Sequence, residues 1–136
     1  MSSFLYPSYH KAASDNEIDV TTDTFKSILL TSAYTPSKSH IHRSDVESAE
    51  VTGTGYTAGG IAQTVVTAFT AGEFTLTTGA VTYTSVTLSG VRYQVTYRDN
   101  GTTSADDQLI CVVDLLTDRS DLSGSFPLSS SIYRNF

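Results

Sequence analysis

At 136 residues the chain is long enough for one domain and too short for two ordinary ones, and a domain of that size can fold without metals or disulfides. Its net charge of −6 excludes nucleic-acid binding by phosphate neutralisation, which needs clustered Lys and Arg, and speaks against docking on an anionic membrane. No run approaches the ~20 apolar residues that span a bilayer. Residues 1–7 lack the basic start and apolar core of a signal peptide, so cytosolic synthesis is expected.

Residues 4–14 predict a short helix or an irregular arm, with Pro7 tolerated only in a first turn. The aromatics Phe4, Tyr6 and Tyr9 imply that this segment is ordered by packing, on its own domain or on a neighbour. Residues 15–24 are polar and acidic, anchored by Ile18 and Val20. An apolar strand follows at 25–32, ended by Tyr34-Thr35-Pro36, because Pro cannot donate to a ladder. Residues 37–45 form a polar loop holding His40, His42 and Arg43, and 46–51 read as a strand or a short connection. Gly53, Gly55, Gly59 and Gly60, with Tyr56 among them, describe a backbone that turns sharply against a close neighbour.

Beyond Gly60 the pattern is extended. About 30% of the chain is Ser or Thr, and the Thr excess favours strands because β-branched side chains fit a pleated surface. Strands are predicted at 61–69, 73–78, 81–88 and 91–98, with Gly72, Gly79 and Gly90 as turns. Alternation puts Val81, Tyr83, Ser85 and Thr87 on one face of their strand, and Val91, Tyr93, Val95 and Tyr97 on one face of theirs. Asp99-Asn100-Gly101 signals a type I′ hairpin, with the return strand at 108–116. Short strands at 125–128 and 131–133 complete seven to nine. This is the mark of an all-β fold: a single antiparallel β-sandwich, jelly-roll-like, over residues 15–136, preceded by an N-terminal arm at 1–14.

The residues offer little chemistry. The glycine run lacks the Lys and Ser/Thr of a phosphate loop, since Ile61 and Ala62 follow it. His40 and His42 have the spacing to begin a metal site, with Asp45 or His10 as completing ligands, but a solvated loop is the simpler reading. Asp15, Glu17, Asp19 and Asp23, and again Asp114, Asp118 and Asp121, are acidic without the order of a calcium loop. Cys111 is the only cysteine, in an apolar run, and reads as a small buried hydrophobe. No Gly-x-Ser-x-Gly elbow is present, and there is no Trp for a sugar platform. Asn100-Gly101-Thr102 matches a glycosylation sequon and marks a surface turn. No catalytic residue, metal or cofactor is expected.

The order of segments in the first 60 residues resembles a family of small structural proteins of tailed bacteriophages. The resemblance rests on Ile18-Asp19-Val20, on Thr22-Asp23-Thr24, and on Lys26 followed by Leu29-Leu30-Thr31-Ser32 and Tyr34-Thr35-Pro36. It continues through His42, Ser44-Asp45-Val46 and Glu50-Val51 to Gly60. It implies a non-enzymatic virion component, a capsid cement (decoration) protein. Such a protein is synthesised in the host cytoplasm and sits on the outer surface of the head, bridging capsomers. Its partners would be the major capsid protein and further copies of itself, as a dimer or trimer. Two alternatives stay open: a tail component (tube, completion or fibre-associated) and a carbohydrate-binding β-sandwich module. Aromatics at chain ends, which are otherwise polar and loose, make Phe4, Tyr6, Tyr9, Ile132, Tyr133 and Phe136 the candidate contact residues. Removal of residues 1–12 is then expected to abolish attachment and leave the fold intact. Gly53, Gly55, Tyr56, Gly59 and Gly60 form a candidate structural loop.

Overall fold

The computed structural model describes residues 3–101, 103–128 and 131–135. In chain order these form β1 (Phe4–Leu5), α1 (Pro7–Ser14), β2 (Thr24–Thr31), β3 (Ile61–Ala62), β4 (Val65–Thr70), β5 (Glu73–Thr78), β6 (Val81–Asp99), β7 (Leu109–Leu128) and β8 (Ser131–Asn135). The strands make two antiparallel sheets. One has five strands in the order β1-β7-β6-β2-β3, and the other has three in the order β4-β5-β8. Phe25 of the first sheet, Ile110 and Cys111 of β7, and Val65, Leu76 and Tyr133 of the second share one apolar cluster. The sheets therefore pack on each other as the all-β sandwich the composition implied.

The segments expected at 81–88 and 91–98 are one continuous strand, β6. Gly90 (φ 69°) does not end it, because the register with β7 shifts around it and the extra residue is absorbed as a bulge. A second irregularity at Ser85 (φ 54°) changes the phase of the strand. Val81 and Tyr83 are buried, then Val86 and Leu88, while Ser85 and Thr87 point to solvent. The bulges also bend the hairpin. A straight strand from residue 83 to residue 96 would span roughly 40 Å. Yet the Tyr83 hydroxyl donates to the Ser27 carbonyl, and Ser27 pairs with Thr96.

Three further expectations change. The strand predicted at 61–69 breaks at Gln63-Thr64, where the chain passes from the first sheet to the second. Gln63 holds that crossing: its amide N–H donates to Phe25 O (3.0 Å) and its side chain to Gly79 O (2.8 Å), and it accepts from Thr96 Oγ1 (2.5 Å). Residues 46–51 are mostly a short 3₁₀ turn, Glu47–Ala49, leading into an isolated bridge between Glu50 and Leu30. The Asn100-Gly101 turn is not type I′, because only Gly101 takes positive φ. The connection runs from 100 to 108 and is staked by buried Asp107. That carboxylate accepts from Asn100 N (2.8 Å) and Arg43 Nε (2.9 Å), tying the loop to the turn Arg43–Asp45.

Candidate functional site

The aromatic start of the chain is built into the fold. Pro7 stands at the first position of α1, where its missing N–H costs nothing. Ahead of it, Phe4 and Leu5 pair with Val112 and Cys111, and Tyr6 N donates to Ile110 O (2.9 Å). Tyr6 is 0% exposed, and its hydroxyl lies 2.6 Å from that of Tyr34, which in turn meets His40 Nδ1 at 2.9 Å. Tyr9 is buried against Phe25, Leu76 and Cys111. Phe4 is half-buried, edge-on to Tyr6 with ring centroids 5.2 Å apart. Tyr6 and Tyr9 thus belong to the same core as the sandwich. Removing residues 1–12 would expose that core, so the burial of Tyr6 and Tyr9 predicts a destabilised fold where the sequence reading expected an intact one.

At the other end, Tyr133 turns inward and donates to Val112 O (3.0 Å), while Ile132 faces outward and is 53% exposed. Phe136 lies outside the described residues. Of the six candidate contact residues, Ile132 is exposed, Phe4 and Tyr133 are partly exposed, and Tyr6 and Tyr9 are buried.

The glycine loop lies flat against the strands. A Cβ on Gly60 would sit 1.8 Å from Ser27 O, one on Gly55 2.1 Å from Ser85 O, and one on Gly53 2.1 Å from Thr87 O. Thr54 bridges to Thr87, whose N–H donates to Thr54 O (2.8 Å). Tyr56 fixes the loop from within: its hydroxyl donates to Glu50 Oε2 (2.6 Å) and accepts from Leu29 N (3.2 Å). The same carboxylate oxygen accepts from Gly59 N (2.9 Å), and Tyr97 donates to Gly59 O (2.6 Å). Burial pushes the Tyr56 and Tyr97 phenols well above the ordinary range, so both stay neutral donors. The loop is a structural brace in which the Tyr56 hydroxyl and both backbone groups of Gly59 are engaged within the chain.

Asp45, one of the candidate ligands, is likewise engaged. Asp45 Oδ2 accepts from Ile41 N and His42 N (2.9 and 3.0 Å), and these two N–H groups hold its carboxyl below the usual range. Among the described residues no three His, Cys, Asp or Glu side chains gather as a metal site would require. Burial pushes the Cys111 thiol up to about 11, with Thr96 and Tyr133 as hydrogen-bond partners.

One outward patch is apolar and uncharged. Val66 (60% exposed) and Phe69 (75%) lie on β4, beside a groove of about 450 Å³ between β4, the residues before it and the start of β2, lined by Val20, Asp23, Phe25 and Gln63 among others. Val66, Thr77 and Ile132 form one row across the outer face of the three-stranded sheet. Of this surface, only Ile132 was among the candidate contact residues named above. Its signal in the sequence is the stretch from Val51 to Gly72, which carries no charged side chain. The chain matches no protein-family model, no curated protein and no solved structure.

Proposed function

We propose that the protein is a non-enzymatic structural component of a tailed-phage virion, a cement protein that binds the outer surface of the head and reinforces contacts between capsomers. The observation that carries the reading is the ordered set of segments from Ile18 to Gly60, which resembles that family. In this fold those segments form β2 and the braced loop layer packed on it, where Glu50, Tyr56 and Gly60 meet the backbone of Leu29 and Ser27. A cement protein works by adding buried interface copy after copy, so modest contacts multiply by avidity. A rigid sandwich with exposed apolar residues suits that task, and its negative charge keeps it off packaged DNA. With Tyr6 and Tyr9 inside, the contact role falls to exposed residues, with Ile132 the member of the original set that faces outward.

The test is co-sedimentation of the full chain with expanded capsid shells lacking it, with isolated tails in parallel. Saturable binding to shells, with a gain in their heat resistance, supports cement function. Binding to tails alone moves the protein to the tail, and binding to neither overturns the virion reading.

A further inference from the structure

Strand β4 is an edge: β5 pairs with one side of it, and among the described residues no strand of its sheet lies on the other. Sheet edges are normally protected by charges, Pro or a covering segment, because their unpaired N–H and C=O groups are a template for another strand. Val65-Val66-Thr67-Ala68-Phe69-Thr70 has no charge and no Pro, and two of its apolar side chains are mostly exposed. A chain of charge −6 resists meeting its own copy. The run from Val51 to Gly72 is where that resistance is least, since all 22 charged residues (8 basic and 14 acidic) lie outside it.

The strand also matches itself. Residues opposite each other in an antiparallel pair share a face. Across a two-fold axis at Thr67, Phe69 of one copy therefore meets Val65 of the other, and Val66 meets Ala68. An axis at Ala68 would instead set Phe69 against Thr67 and Val66 against Thr70. The first register covers apolar with apolar on both faces. It also brings the Thr70-Ala71-Gly72 turn of the second copy opposite Ala62-Gln63-Thr64, which border the open groove.

We propose that two copies of this chain associate through antiparallel pairing of β4 about a two-fold axis at Thr67, joining their three-stranded sheets into one of six strands. Such an isologous contact closes on itself and removes both exposed edges. It stands independently of whether the protein sits on heads or on tails.

Sedimentation equilibrium of the full chain should show a reversible species of twice 14.6 kDa. Phe69→Lys and Val66→Lys, both at exposed positions, should weaken it at least tenfold without loss of the folded spectrum. Thr67→Cys should form an intermolecular disulfide on mild oxidation, since directly opposed residues lie within bridging distance. Ala68→Cys should not, because its symmetry mate is displaced diagonally to about 8 Å. A chain that stays monomeric across its soluble concentration range overturns the proposal. So does a dimer indifferent to both Lys variants, or one that links as readily through Ala68→Cys as through Thr67→Cys.

Discussion

Replacing Gly60 by alanine adds one methyl group where two separate costs meet. The residue has φ +78°, and the new Cβ would lie 1.8 Å from the Ser27 carbonyl oxygen, a backbone atom of β2 that cannot swing aside. The left-handed conformation costs an L-residue about 1 kcal/mol. Forcing the loop off the strand adds about 2 kcal/mol, in line with other overpacking substitutions, for a total of about 3 kcal/mol. Two other glycines separate these terms. Gly72 has φ +82° with nothing within 4 Å, so Gly72→Ala should lose only about 1 kcal/mol, the conformational part. Gly53 meets Thr87 O at 2.1 Å without positive φ, so Gly53→Ala should lose about 2 kcal/mol, the steric part. In urea unfolding with a slope of about 1.5 kcal/mol/M, the midpoints should fall by ~2 M for Gly60→Ala and ~0.7 M for Gly72→Ala. Equal midpoints for these two variants at unchanged slope would refute the claim that the loop is pressed against β2.

Tyr6→Phe removes the hydroxyl that meets Tyr34 at 2.6 Å and should cost about 1 kcal/mol, read as a lower urea midpoint, whereas deletion of residues 1–12 should abolish the cooperative transition altogether. Asp107→Ala strips the close partner from Arg43 and the acceptor from Asn100 N; a loss of about 3 kcal/mol is expected by thermal or urea unfolding because a mostly buried guanidinium keeps only the longer contact to Glu47 (3.8 Å). Cys111 should resist thiol reagents at pH 8 until the protein unfolds, which labelling across a urea series checks. Its folded value, about 11 against 9.0 unfolded, means the native state holds the proton more tightly. That contribution is intact below pH 9 and is lost as pH rises toward 11. Stability should therefore decline over that range, and less steeply in Cys111→Ala.

The residues by themselves determined the fold class. Thr-rich alternation and regularly spaced turn signals can only be satisfied by strands with one covered face, and the structure is a two-sheet antiparallel sandwich. They also marked β2 and β5 closely: β2 is a short apolar run ended by Tyr34-Thr35-Pro36, and β5 is a short alternating run between Gly72 and Gly79. The breaks in β6 were legible in principle: from Val81 to Tyr93 its buried residues step by two except from Tyr83 to Val86 and from Leu88 to Val91, and each three-residue step is a bulge. Local signals were read as strand ends there because Gly90 looks like a turn when its partner strand is unknown. Only the tertiary structure decided which backbone the glycine loop touches, since Ser27, Ser85 and Thr87 are distant in sequence from one another or from the glycines they meet. It likewise decided that Tyr6 and Tyr9 face inward while Val66 and Phe69 face out. An aromatic residue has the same affinity for a core as for an interface, so its destination is set by which neighbour reaches it. Here β7 and Tyr34 reach the start of the chain, and among the described residues of its sheet no strand covers the outer edge of β4.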